Sequence, residues 1–167
     1  MSLPAYLFLY DENGVQIKGG CMALGREGAI EIMNTQHGIS LSVDSHTGSL
    51  TGSRMHEPVI INKEVDKSSP YLFDFVSTGK RLKTGIIRFY AINEAGVENE
   101  MYNLTLDSVV VSSVVFNHSY IPGTTTPNMM EVVKLRYTGI AWNYLIGNIS
   151  TNDFWGKELQ KQEEKNS

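Results

Sequence analysis

Two apolar runs in the second half of the chain, 101–116 and 129–146, are each roughly three times as long as the usual strand of five or six residues. Strands twist, so runs of that length are expected to bend or coil strongly, as they do when a sheet curls into a barrel. In the second run Glu131, Val133, Leu135 and Tyr137 fall on one face, and Val132, Lys134, Arg136 and Thr138 on the other. One of these faces reads as core. A closed barrel is preferred over an open flat sheet on this ground.

The rest of the chain supplies more strands and a single helix. Residues 3–10 are apolar and aromatic and run into Asp11, Glu12, Asn13 and Gly14, which supply the acceptors and positive-φ tolerance of a tight turn. Ala29, Ile30, Ile32 and Met33 form a second strand, Val59, Ile60 and Ile61 a third, and 86–92 a fourth that ends in a turn at 93–96. The pattern changes only at Ser68, Ser69 and Pro70. Ser69 is placed to cap a helix, Pro70 suits its first position, and Gly79 can take the left-handed conformation that ends it. Leu72, Phe75 and Val76 give that helix one apolar stripe, with Asp74, Ser77 and Thr78 off it. The segment 38–53, rich in Ser, Thr, Gly and Asp, reads as a long loop, and loops of that length in compact domains are usually either disordered or functional; the functional reading is preferred over a mobile surface excursion on length.

Length and composition allow one domain. With 167 residues, of which 41% are hydrophobic, the chain can bury a substantial core, and residues 1–155 are assigned to it. Residues 156–167 form a polar C-terminal tail with almost no apolar anchor, expected to be disordered and assigned no function. No stretch approaches the roughly 20 apolar residues of a membrane span, and no basic run followed by an apolar segment reads as a signal peptide. Membrane insertion is not expected. The single cysteine, Cys21, rules out an internal disulfide and fits synthesis in a reducing cytoplasm. A net charge of -4, without clustered Lys or Arg, argues against nucleic-acid binding.

Residue patterns for chemistry are thin. His37, His46, His56 and His118 lack a second His or Cys at zinc-site spacing, so no metal or other cofactor is assigned. His46 reads as a solvated loop residue and His56 as a polar residue entering a strand, held by a local hydrogen bond. The Ser, Asp and His within 43–46 project in alternating directions and cannot form a relay, and there is no nucleophile elbow. Cys21 reads as a small packing residue. The acid pairs Glu98 with Glu100, and Glu27 with Glu31, are the kind of charges that solvated strand edges carry. The Gly-rich stretch 14–28 lacks the order of a phosphate loop, and the sequons at Asn103, Asn117 and Asn148 are background. The chain is not read as an enzyme. Apart from any family, a jelly-roll-like ligand-binding module is the competing reading, since all-β domains with long loops often hold ligands.

Several ordered motifs carry a resemblance. The run GSLTGSRMHEPVIINKEVDKSSPYL, residues 48–72, reads as Thr-Gly-x-Arg-x-His-x-Pro, a strand, and Asp-x-Ser-Ser-Pro before the helix. It is preceded by AYLFLYDENGVQIKG and REGAIEI, and followed by VKLRYTGIAWNY and the distant Asp153-Phe154-Trp155. In these residues, over 3–155, the chain resembles the haemolysin-coregulated proteins (Hcp) of type VI secretion systems. The connection 119–128 looks shorter than that pattern, and the tail after Trp155 runs past its usual end.

The resemblance implies a small antiparallel β-barrel of two sheets with one short helix against it, similar to phage tail tubes. It implies a subunit that forms homohexameric rings, stacked as an inner tube within a contractile sheath and expelled with a spike protein at the tip. Small effectors would be carried in the lumen. The protein would reside in the bacterial cytoplasm before firing and leave through the type VI system without a signal peptide. The segment 38–53 would then project and touch a neighbouring subunit or the next ring through Ile39, Leu41, Val43, Asp44, His46, Thr47, Leu50 and Thr51, with Arg54 and His56 at its base setting the exit angle.

Overall fold

The computed structural model describes residues 3–155, so the tail assigned to 156–167 lies outside the described residues. Twelve strands and one helix follow one another in these residues: β1 (Ala5–Tyr10), β2 (Gln16–Ile17), β3 (Ile30–Ile32), β4 (Asn34–Gln36), β5 (Ile39–Val43), β6 (Leu50–His56), β7 (Val59–Glu64), α1 (Ser69–Thr78), β8 (Arg81–Ile92), β9 (Glu98–His118), β10 (Met129–Arg136), β11 (Gly139–Tyr144) and β12 (Ile149–Phe154). Ten strands make one antiparallel sheet along the path β2-β1-β8-β9-β10-β7-β4, with β3 beside β1 and β11 and β12 branching from β9; β5 and β6 pair only with each other.

The mainly β class with one helix is as expected, but the sheet is not a closed barrel. Its two sides meet at the run Ile30 to Gln36, whose first half pairs with β1 and second half with β7. Met33 lies at the change-over and donates its N–H to Asn62 O at 2.8 Å. Among the described residues no strand is laddered to both β1 and β7, so the curl ends in a seam.

The curling has local causes. β9 is 21 residues long, and its partners change along it. Its first half pairs with β11, from Tyr102 to Asp107, and its second with β10, from Val110 to His118. Between the halves Ser108 takes φ 52°, unusual for a residue other than glycine, and the strand bends there. Register shifts at Phe89/Tyr90 and Lys134/Leu135 add to the bend. The run 129–146 is correspondingly two strands rather than one, because after Arg136 the chain leaves one partner set and joins another, with Thr138 N bonded to Asp107 O.

The inward face carries one core. Leu7, Leu9, Ile61, Leu82, Ile87, Leu106, Val133 and Leu135 are fully buried in it, and α1 lies against β9 with Leu72 and Phe75 pointing in. β1 is covered on its outer face as well, where Tyr6 and Phe8 join Cys21 and Ala29 in a second cluster. The Arg26 guanidinium locks this cover, 3.9 Å from the Tyr90 ring centroid and 3.0 Å from Glu98.

The helix stops where expected. Gly79 takes φ 66°, which an L side chain adopts only at a cost, and Lys80 N reaches back to Phe75 O. Its start differs from expectation. Ser68 is the N-cap residue, without a side-chain capping bond, while Ser69 turns its hydroxyl into a buried ionic cluster instead. There Lys63 Nζ meets Glu131 Oε2 at 2.7 Å, Ser69 Oγ at 3.2 Å and Asp66 Oδ1 at 3.2 Å. Ser69 Oγ donates to Glu131 Oε2 and accepts from Asp66 N, so the buried Lys63 ammonium and Glu131 carboxylate are both bonded, with Asp66 at the partly exposed rim.

Candidate interaction site

The segment read as a loop, 38–53, is mostly the arm of a β-hairpin made by β5 and β6. Its Ser- and Thr-rich composition hid the pairing, because the periodic apolar signal of a half-buried strand is carried only by β5. Asp44 builds the tip: its Oδ1 accepts from the N–H groups of His46 at 2.7 Å and Thr47 at 3.0 Å, and these bonds hold its carboxyl below the usual carboxylate range. His46, Thr47 and Thr51 are exposed at and near this tip, and the reading of His46 as a solvated residue holds.

Directly opposite residues of an antiparallel pair share a face. Val43 pairs with Leu50, Leu41 with Arg54 and Ile39 with His56, with two extra β6 residues between the first two pairs. One face of the hairpin therefore carries Ile39, Leu41, Val43 and Leu50, exposed by 38%, 51%, 53% and 65%. On the opposite side, Met55 pairs with Ser40. No strand of the main sheet extends the β5–β6 ladder.

The base of the hairpin is held by side chains. Arg54 grips Asp153 of β12 with two nitrogens, its second contact being Nη2 to Oδ1 at 2.9 Å. His56 is 2% exposed and sits between two partners, with Nε2 2.7 Å from Asp153 Oδ2 and Nδ1 2.7 Å from the Tyr137 hydroxyl. The same hydroxyl lies 2.7 Å from His37 Nε2. Trp155 stacks on His56 at 5.1 Å and 10°, and donates its indole N–H to Tyr137 O. His56 is thus held by residues far along the chain, not by the local bond expected of it.

The proton order follows from the partners. A carboxylate only accepts, so His56 Nε2 donates to Asp153. With His56 neutral, Nδ1 is then an acceptor, the Tyr137 O–H donates to it, and the Tyr137 oxygen accepts from His37 Nε2–H. Burial, with the nearby Asp153 charge, pushes the Tyr137 hydroxyl well above the usual tyrosine range, so it stays protonated. Asp153 is held below the usual carboxylate range, first by Arg54 and then by His56.

His37, Tyr137, Asp153 and Trp155 were not among the candidate site residues. Tyr137 and the Asp-Phe-Trp triplet do lie in the quoted motifs, yet nothing in one chain tells that they converge on His56. Gly139 helps them converge: a Cβ there would lie 2.4 Å from the Phe154 ring, so only glycine lets β12 lie this close to β11. Elsewhere three of the four paired acids each hold a different partner. Glu98 holds Arg26, Glu100 faces Arg88 at 3.8 Å, and Glu27 accepts from Gly25 N in its own loop.

Residues 6–144, which include His37, Arg54, His56 and Tyr137 but end before Asp153, match the model of the type VI secretion system effector Hcp. The chain belongs to the Hcp family. Over 166 residues it is 30% identical to the "Major exported protein" of Pseudomonas aeruginosa, covering 93% of this chain and 96% of that one. The Hcp1 protein of the E. coli EAEC 042 pathovar is similar in structure, at 40% identity and a TM-score of 0.82, with 92% of this chain and 99% of that one covered. The secreted Hcp3 of Pseudomonas aeruginosa shares the fold at 22% identity and a TM-score of 0.72, over 92% and 99% of the two chains. Among the described residues no helix of this Hcp-family chain is long and apolar enough to cross a membrane.

Proposed function

We propose that this chain is a structural, non-catalytic subunit of a type VI secretion tube, and that the β5–β6 hairpin is its contact with neighbouring copies. The observation that carries this reading is the hairpin's aliphatic patch: Ile39, Leu41 and Val43 along β5 with Leu50 opposite on β6, each more than a third exposed, on an arm that no other strand among the described residues extends. Exposed contiguous apolar surface of this kind marks interaction sites. Arg54 and His56 set the exit angle of the arm, because both are tied to Asp153 on the body.

On this reading homohexameric rings form through side edges and stack through a second surface, as head-to-tail symmetry requires. The tube lies in a contractile sheath, bears a spike protein at its tip and carries small effectors in its lumen. It assembles in the cytoplasm and is secreted through the type VI system on firing. Each subunit has net charge -4, so a hexamer carries roughly six times that, and rings repel one another in low salt unless local contacts offset it. Single rings should therefore dominate there.

The test is light scattering of the purified protein, followed by negative-stain imaging of the same peak. A hexamer mass with ring-shaped particles, and loss of ring stacking in Leu41→Asp, is the expected result. A clean monomer at micromolar concentration would overturn the reading and favour a jelly-roll-like ligand-binding module instead.

A further inference from the structure

We propose that His37, Tyr137 and His56 form an acid-sensitive latch, which clamps the hairpin base to β12 while it carries at most one added proton and opens when both imidazoles are charged. The geometry carries this, because one hydroxyl lies 2.7 Å from a nitrogen of each histidine.

Consider each protonation state. In the neutral state the donors run in one direction, from His37 to Tyr137 to His56 to Asp153. Charging His37 leaves that order intact, since its Nε2 already donates. Charging His56 instead reverses one bond: Nδ1 now donates to the Tyr137 oxygen, whose O–H turns to a neutral His37 Nε2. Either single proton is therefore accommodated with every group bonded. The second is not. Both imidazolium N–H groups would point at the same oxygen, its own hydrogen would have no acceptor in the relay, and two cations would face each other across one atom.

The surroundings favour this limit. His56 is nearly closed to water under the Trp155 ring. Arg54, beside it on β6, already supplies Asp153 with one positive partner. Arg136 lies next to Tyr137 and adds positive charge, while Glu57 is the carboxylate near His37 that opposes it. Burial, and then the facing His56, lower the His37 pKa, with Glu57 acting the other way. A histidine lowered in this way stabilises the latched form above its ordinary pKa near 6.5, and that stabilisation is lost as pH falls below it. The effect on assembly rests on the reading of the hairpin as a contact between copies; the latch does not.

Amide hydrogen exchange of the wild-type protein, corrected for the intrinsic pH dependence of exchange, reads the latch directly. Between about pH 7 and pH 5, protection at the hairpin base, including the Glu57 N–H bonded to Gly38 O, should fall by about tenfold while β10 is unchanged. His37→Gln keeps a donor to Tyr137 but cannot take the second charge, so its base stays protected. Protection that is flat with pH in the wild type, or an equal fall in His37→Gln, overturns the latch. Nitrogen-detected spectra of the wild-type histidines need no variant: two separate steps, with hairpin signals following the second, are expected, and hairpin signals that follow the first overturn it. Light scattering over the same range separates the two readings. A latch that opens with assembly unchanged keeps the latch and sinks the contact, and assembly lost with hairpin protection unchanged sinks the latch and keeps the contact.

Discussion

β5 and the second half of β10, Val133 to Arg136, both alternate apolar and polar residues, yet Val133 and Leu135 are fully buried while Leu41 and Val43 are exposed by 51% and 53%. The difference is one of partners. β10 lies between β7 and β9 under a shared core, whereas β5 has only β6 beside it. A two-stranded hairpin is marginal by itself in water. This one is held from its base by charged and aromatic side chains rather than by a core, so its stability and that of the sheet should respond to different perturbations.

The largest expected effect is on the sheet side. Glu131→Gln takes the nearer of two carboxylates from the buried Lys63 ammonium, leaving Asp66 at 3.2 Å, and should cost about 3–5 kcal/mol in denaturant melts, whereas the paired replacement Lys63→Met with Glu131→Leu should recover most of it. A paired variant as unstable as the single one would mean that the cluster holds α1 through Ser69 and Asp66 rather than through the ion pair. Next, Leu135→Ala should cost about 2–5 kcal/mol, while Leu41→Ala should stay within about 0.5 kcal/mol of wild type and change only association. Equal losses would show that the hairpin face is packed within one chain.

Gly139→Ala tests the link between the two regions. The added Cβ must displace the Phe154 ring, an overpacking cost of about 1–3 kcal/mol, and because Asp153 precedes Phe154 the hairpin base should gain exchange before the sheet does. The smallest effect is the acid limb. Arg54 and His56 lower the Asp153 pKa, so the stability it contributes is present above the ordinary carboxylate pKa near 3.9 and is lost as pH falls through its lowered value. Asp153→Asn should abolish that part of the acid titration of hairpin protection while leaving core melting nearly unchanged. A large drop in global stability would instead make Asp153 part of the core.

Much of the sheet was legible because burial imposes a period of two. The face Glu131, Val133, Leu135 and Tyr137 is buried as a set, the glutamate included. Gly79 and the apolar stripe of α1 were legible because caps and helical spacing are local. β12 was not, since Ile149–Phe154 has no apolar stripe and becomes a strand only by pairing with β11. The arm 38–53 failed for a related reason: its pairing is set by turn chemistry at Asp44, and its apolar face has no core to announce it. Within the site, Arg54 and His56 were singled out, but their partners were not, because Asp153 is 99 and 97 residues away from them.

The sequence alone therefore determined what depends on neighbours along the chain: a mainly β domain, one helix with its stop signal, a buried face on β10, and, through ordered motifs, the Hcp family. Only the tertiary structure decided what depends on closure in space. That includes the seam between β3 and β4, the meeting of Lys63 with Glu131, and the convergence of His37, His56, Tyr137 and Asp153 at the foot of the hairpin. The physical reason is that alternation and capping act over a few residues, whereas a hydrogen bond between side chains depends on the register and bend of every strand between them.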